Sequence, residues 1–382
     1  MSAIYLDYNA TTPVDPAVLD VMLPYLRSEF GNPSSAHGLG GRAHEAVEAA
    51  RAEVAALIGA APDEIVFTSG GTEASNIAIR GAVRIDTARG DVVTTTIEHP
   101  ATEACCAFLE GEGHKVTRVA AETNGLIDAV RVAAAVDNKT ALVTIIHAQN
   151  EIGTIQPIAE IAAAARRHGA LVHVDAAQSV GKIAVNVDEL GADLLSIAGH
   201  KLYAPKGVGV LYIRRGITLP PLLLGAGQER GRRPGTENVP YIVALGEACR
   251  IAGTILEGEA KRLSGLSGDL FAALKREIPE IILVGDPKRR LPNTLNVLFP
   301  NASGRKVLEQ CSRVMASTGS ACHADSEEPS AILTALGIAH DKALGAVRLS
   351  LGRGTRQEDI PAAARALAEA WQRVAPAVAA AE

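Results

Sequence analysis

Two residues in this chain stand where an amine and a carboxylate could work together, Lys201 and Asp175. Asp175 ends the β-branched apolar run Leu171-Val-His-Val-Asp175, which reads as a short buried strand. An acid where such a strand stops lies on the carboxyl edge of a sheet, the edge at which open α/β folds place ligands. Lys201 closes a second apolar run, Leu194-Leu-Ser-Ile-Ala-Gly-His-Lys201. Desolvation at such a point lowers a lysine's pKa and frees its amine as a nucleophile. Pyridoxal phosphate (PLP) uses this pair, an amine to hold its aldehyde and a carboxylate to keep its ring nitrogen protonated. A helix-capping acid and a surface lysine would leave the same trace, so the two residues alone leave both readings open.

Two further stretches could join that chemistry. Ser69-Gly-Gly-Thr72 falls between a strand and a helix, where backbone amides and a hydroxyl make an anion site. No Gly-Lys-Ser/Thr follows, so it is not a Walker loop. Alone it is a glycine turn; with Asp175 and Lys201 it becomes a phosphate cup. The cysteines are Cys105, Cys106, Cys249, Cys311 and Cys322, with no C-x-x-C pair, which disfavours a disulfide framework and a zinc site. No metal is expected. Cys322 differs from the rest in lying within the small, polar stretch Ser317 to Pro329, whereas a structural cysteine has apolar neighbours.

These residues need a scaffold, and 382 residues with 47% hydrophobic and 21% charged suffice for a large core. A net charge of −6 argues against nucleic-acid binding. The opening Met-Ser-Ala-Ile-Tyr-Leu-Asp7 lacks a basic n-region and an apolar h-region, so no signal peptide is expected. Uninterrupted apolar runs fall short of a membrane span, and a cytoplasmic location is expected. Strand-like runs at Ile65–Thr68, from Asp91, at Ala141–Ile146, Leu171–Asp175 and Leu194–Lys201, and at Gly207–Ile213 are separated mostly by helix-length segments. That alternation predicts a mostly parallel sheet covered on both faces. Helices are expected from Asp15, from Arg42 to Ile58, from Ile158 to His168, and from about Tyr241, the last with weak points at Gly253 and Gly258. A large domain over 15–255 and a smaller α+β domain from 1–14 and 256–382 follow, the final helix running from Ile360 to Ala379.

Asp7-Tyr-Asn-Ala-Thr-Thr-Pro13, Gly31-Asn-Pro-Ser-Ser35, Phe67-Thr-Ser-Gly-Gly-Thr-Glu73, Asn150-Glu-Ile-Gly153, Asp175-Ala-Ala-Gln178, Gly199-His-Lys-Leu-Tyr-Ala-Pro-Lys-Gly207, Gln228-Glu-Arg-Gly231, Pro234-Gly-Thr-Glu-Asn238 and Gly319-Ser-Ala-Cys322 follow in that order. Any one is weak; the ordered set, spanning residue 4 to about 355, is specific. The chain resembles the cysteine desulfurases of the iron–sulfur-assembly type, class V aminotransferase-like enzymes of PLP fold-type I. The resemblance implies an α/β fold, a large domain with a mostly parallel, seven-stranded-type sheet and a smaller α+β domain carrying the cysteine loop. It implies PLP as cofactor, L-cysteine as substrate, a homodimer and a sulfur-acceptor protein.

Roles follow from the resemblance position by position. Lys201 would hold the cofactor aldehyde and move the α-proton, Asp175 would pair with the ring nitrogen, and Gln178 would contact the ring hydroxyl. His99 would stack on the ring and assist proton transfer, although a histidine in Glu98-His-Pro100 could instead cap its own helix. Gly71, Thr72 and His200 would bind the phosphate, and Thr236 would reach it from the other subunit. Asn150, beside the cofactor, and Arg348 would hold the substrate carboxylate; a guanidinium suits this independently through its bidentate fork. Cys322 would take the sulfur as a persulfide, leaving alanine. Three positions depart from the family pattern. Ala198 stands where many relatives carry a phosphate-binding serine, Gln149 where asparagine is common, and His323 follows Cys322 in place of a small residue. His323 would lower the thiol pKa, opposed by Asp325, Glu327 and Glu328. Two rival readings are a selenocysteine lyase, similar in most motifs, and a non-catalytic PLP-fold docking scaffold, which would not need Lys201, Asp175, His99 and Cys322 together.

Overall fold

The structure, a computed structural model, describes residues 3–86, 88–319 and 328–375. The chain opens with strand β1 (Ile4–Tyr5), helix α1 (Pro16–Arg27) and helix α2 (Gly38–Ile58). Asp15 caps α1 by accepting the Ala17 amide at 3.0 Å, with Pro16 at the first helical position. Helix α2 begins before the expected Arg42 because the His37 ring accepts the Gly40 amide at 3.2 Å, a cap that helical periodicity does not reveal. Gly59, with φ of 68°, ends it as the sequence suggested.

Alternation then sets in: β2 (Ile65–Thr68), α3 (Gly71–Ala82), β3 (Asp91–Thr95), α4 (Pro100–Gly111), β4 (Val116–Val119), α5 (Ala129–Ala135), β5 (Thr140–Ile146), α6 (Ile158–Arg167), β6 (Leu171–Asp175), α7 (Val187–Leu190), β7 (Leu194–Ala198) and β8 (Gly209–Ile213). The strands form one seven-stranded sheet in the order β2-β8-β7-β6-β5-β3-β4. Only β8 runs against its neighbours, so the sheet is mostly parallel. Edge strand β4 was not foreseen: Val-Thr-Arg-Val is short, half-buried and has no apolar run to announce it.

Successive side chains point to opposite faces of a strand, and both faces here are covered. Along β3, Val93 enters the core that contains Val54, Ile145 and Val174, while Val92 enters the opposite one with Ile79, Leu109 and Leu142. In β8, Val210 and Tyr212 take the first side and Leu211 and Ile213 the second. That two-sided burial explains why these strands read as continuous apolar runs.

Helix α8 (Val239–Glu277) links this layer to the rest. Its first half, with Ile242, Leu245 and Cys249, belongs to the large core; its second half, with Leu263, Leu266 and Leu270, belongs to another. Gly253 and Gly258 lie inside it without interrupting it, and position 255/256 falls in mid-helix. By length and composition α8 could cross a bilayer, but these apolar side chains are packed into the two cores.

Beyond α8 come β9 (Ile282–Val284), β10 (Thr294–Leu298), α9 (Gly304–Glu309), β11 (Val314–Met315), α10 (Ala331–Ala335), α11 (His340–Ala343), β12 (Ala346–Ser350) and α12 (Asp359–Val374). Strands β12-β10-β9 form an antiparallel sheet, and β1 returns from the N-terminus to pair in parallel with β11. In α12, Trp371 donates its indole N–H to the Pro300 carbonyl at 2.9 Å. The part of the final helix expected beyond residue 375 lies outside the described residues.

Candidate active site

Four parallel strands and the turns that follow them deliver most of the chemistry to one edge. Asp175 ends β6, Lys201 ends the 3-10 turn Gly199–Lys201 after β7, α3 begins after β2, and His99 caps α4 after β3. Lys201 is not a surface lysine. Its Nζ donates to the backbone carbonyls of Asn9 and Ala10, both at 2.6 Å. Burial, reinforced by the Arg348 charge and opposed by Asp7 and Asp175, lowers its pKa to about 8. Asp175 is 5% exposed, and its Oδ1 accepts the Ala177 amide at 3.0 Å.

Asn9 ties this floor together, a role the sequence motif around it did not disclose. Its carbonyl also accepts from Gln178 Nε2 at 3.0 Å, and its Oδ1 accepts from Lys182 Nζ at 3.0 Å and from Asn293 at 3.1 Å. Lys182 donates in turn to Gln178 Oε1 at 2.5 Å. A carbonyl can only accept, so the Asn9 carbonyl fixes the Gln178 Nε2 toward it and leaves Oε1 facing Lys182. Burial, with Lys201 and Arg348 nearby, pushes the Lys182 pKa far down. The available signal was spacing: Lys182 lies four residues past Gln178.

At the start of α3, Gly70 adopts φ of 156°, a conformation that favours glycine. The first-turn amides that follow have no partners within the helix. Ala198 closes one side: a Cβ on Gly71 would lie 3.3 Å from the Ala198 methyl. Thr72 is exposed, and His200 sits across the chain with its Nδ1 3.2 Å from Thr11 Oγ1. Burial and the charges of Lys201, Lys206 and Lys182 hold the His200 pKa near 4, so its ring is neutral at pH 7.

His99 does cap its helix, its Nδ1 accepting the Ala101 amide at 3.1 Å. The cap settles the tautomer, because an accepting Nδ1 leaves the proton on Nε2. The ring is solvent-accessible, yet desolvation lowers its pKa, with Lys201 adding to the effect and Asp175 opposing it. Capping and a role beside a ligand are therefore compatible.

Arg348 comes from β12 in the small sheet and is 3% exposed. It pairs with Asp7 at 2.8 Å and donates to the Asn150 carbonyl at 3.3 Å, while its buried Nε has no partner among the described residues. Asn150 follows Gln149, a position at which asparagine is common and where the exchange is expected to matter little. Its buried amide accepts from the Glu151 and Ile152 N–H groups at 2.6 and 3.0 Å and so organises the turn.

Thr236 is exposed on a loop next to α3, held by the Arg233–Glu73 ion pair at 2.9 Å, and among the described residues it makes no hydrogen bond to the Lys201 cluster. Cys322 and His323 lie outside the described residues. The other thiols are buried. Burial raises Cys105 to about 11 and Cys106 and Cys249 to about 12, and raises Cys311 as well. Among the described residues no His, Cys, Asp or Glu group suited to a metal occurs.

The geometry has close counterparts among known proteins. Residues 4–362 match the family model described as aminotransferase class-V. A cysteine desulfurase of Nostoc sp. is 45% identical over 98% of this chain and 94% of its own length. A solved NifS-like protein superposes with a TM-score of 0.91 at 36% identity, covering 97% of this chain and all of its own. A structure described as SspA in complex with cysteine gives 0.80 at 39% identity, over 91% of this chain and 98% of that one. The chain therefore belongs to the class-V aminotransferase family and, within it, to the cysteine desulfurases.

Proposed function

We propose that this protein uses PLP to remove sulfur from L-cysteine, leaving L-alanine and a persulfide on Cys322 for delivery to a sulfur-acceptor protein. The observation that carries the reading is Lys201: a half-buried lysine whose desolvation lowers its pKa to about 8, on the same sheet edge as Asp175. The residues fit the cofactor. Lys201 would hold its aldehyde, Asp175 would face its ring nitrogen and Gln178 its ring hydroxyl, and the amides opening α3 would suit its phosphate. When bound, PLP supplies an electron-withdrawing ring that lets the substrate Cα–H ionise and its Cβ–S bond break.

The chain's own groups do the rest. The Arg348 guanidinium, whose Nε has no partner among the described residues, and Asn150 hold the substrate carboxylate. Lys201 Nζ takes and returns the α-proton, which requires its free-base form. His99 Nε2, protonated because Nδ1 caps α4, is the group set to donate a proton. The Cys322 thiolate attacks the substrate sulfur; an S–S bond forms, the C–S bond breaks, and its electron pair with a proton completes alanine. A homodimer belongs to the same proposal: Thr236, exposed on its loop, would reach a second protomer's phosphate.

The test is to load purified protein with PLP, add L-cysteine, and quantify alanine and sulfide, then repeat with selenocysteine. After one turnover, mass spectrometry should find one added sulfur on the peptide carrying Cys322. Sulfur on another cysteine, or no alanine at all, would sink the reading; selenide release with no activity on L-cysteine would instead favour the lyase.

A further inference from the structure

We infer that Lys182 is a positioning residue for the cofactor: by holding the Gln178 amide at its oxygen end, it sets the plane in which that amide meets the ring hydroxyl. The inference deepens the reading of this site as a PLP site and rests on it. Lys182 stands four residues past Gln178, in the turn that follows β6. Gly181, with φ of 73°, sits so near Leu202 that an added Cβ would collide with its side chain. The turn therefore presses against the residue after Lys201, and Lys182 Nζ ends inside the floor of the site. There it donates to Gln178 Oε1 at 2.5 Å and to Asn9 Oδ1 at 3.0 Å. Two hydrogens suffice for two acceptors, so both contacts survive whether the amine is charged or neutral.

Gln178 is 5% exposed. One Nε2 hydrogen goes to the Asn9 carbonyl at 3.0 Å, and Oε1 takes Lys182. Those two contacts lie at opposite ends of a planar group, so together they fix the direction of the second Nε2 hydrogen, the donor left for the ring hydroxyl. Without Lys182 the amide hangs on the Asn9 carbonyl alone, with a buried acceptor left open. Lys182 is held in turn from the small domain. Asn9 Oδ1 also accepts from Asn293 Nδ2 at 3.1 Å, while Asn9 Nδ2 donates to Thr294 Oγ1 at 2.8 Å and to the Asn150 carbonyl at 3.1 Å. Arg348 donates to that same carbonyl at 3.3 Å. The ring-hydroxyl donor and the group for the substrate carboxylate thus belong to one network that runs through Asn9. No proton or sulfur transfer proposed for the site gives a task to a second lysine here; the Gln178 amide does.

The test titrates cofactor-free protein with PLP and follows the absorbance band that forms. Lys182→Met keeps the length of the side chain and removes its donors. PLP should then bind about tenfold more weakly, with the band maximum displaced, while the melting temperature of the cofactor-free variant stays close to that of wild type. Gln178→Leu should weaken PLP to a similar degree. The double variant decides: a lysine that acts through Gln178 adds nothing further once the amide is gone, whereas independent contributions would multiply to about a hundredfold. Should Lys182→Met fail to fold, Lys182→Gln, one atom shorter and so a looser hold on Oε1, enters the same cycle with a smaller first step of about threefold. Multiplying effects in the double variant overturn the inference. So does an unmoved band and affinity on removing the lysine, or loss of PLP in step with loss of folding, which marks a merely structural residue. Wild type that takes up no PLP sinks the cofactor reading first. Wild type that binds PLP and forms alanine, while the cycle multiplies, keeps that reading and removes only the role of Lys182.

Discussion

Burial acts in opposite directions on the two kinds of nucleophile in this molecule. At the carboxyl edge of the large sheet it lowers the Lys201 pKa to about 8, because the charged form of an amine is the one that desolvation disfavours. In the cores it raises Cys106 and Cys249 to about 12, because the charged form of a thiol is the deprotonated, nucleophilic one. The same dry surroundings make an amine available and a thiol inert. A protein that needs both nucleophiles must place the lysine inside and the working cysteine elsewhere, and four of the five cysteines are buried.

The largest effect expected from that contrast is at Lys201. Replacing it with alanine removes both the cofactor-holding amine and the proton carrier, and alanine formation from L-cysteine should fall by at least about a thousandfold. Substantial multiple turnover by the purified variant would break the comparison at its first term. Next comes Arg348→Lys, which keeps the charge but loses the fork and the Nε that has no partner among the described residues. Steady-state kinetics should show KM for L-cysteine rising about ten- to a hundredfold, with kcat less affected. An unchanged KM would remove the substrate carboxylate from this position.

The lysine half of the contrast can also be read through stability in cofactor-free protein. A folded-state pKa near 8 lies below the roughly 10.4 of an unfolded lysine. Between those values the unfolded chain binds the extra proton, so stability rises with pH across that window. Below about pH 8 both states are protonated, and the penalty for the buried charge is fully present. The melting temperature of wild type relative to Lys201→Met should therefore climb from about pH 8 to 10, by on the order of 2 kcal/mol or less in stability. A flat difference across that range would mean the amine is not desolvated.

How much of this was legible in the sequence depends on what each residue's role rests on. Asp175 announced itself because an apolar strand ends on it, and Lys201 because it closes the 3-10 turn directly after another, while the continuous runs of β5 to β8 reflect burial on both faces. The parallel sheet and the return of β1 to the small domain follow from the same patterning and the ordered motifs. Asn9 and Lys182 stayed hidden as actors. Each works through hydrogen bonds across long sequence separations, such as Asn9 to Thr294 at 2.8 Å, and no local period encodes such contacts. Edge strand β4 escaped for the reverse reason, since a polar, half-buried strand carries little hydrophobic signal.

The smallest effects are expected at the buried thiols, and they are the sharpest control on the comparison. Cys105, Cys106, Cys249 and Cys311 are each under 5% exposed, and each sits among apolar side chains. Their raised pKa values leave almost no thiolate at neutral pH. Alanine at any one of them removes a sulfur-sized volume from a packed core and should cost about 1–2 kcal/mol, visible as a modest fall in melting temperature. Measured well below that temperature, the rate of alanine formation and the site of persulfide should match wild type. Cys249 is the most demanding case, because α8 carries it, 1% exposed, into the core that it shares with the large sheet. If Cys249→Ala loses activity while keeping its fold and PLP absorbance, a thiol held near pKa 12 would be taking part in chemistry, and burial could not be what separates working from structural cysteines here.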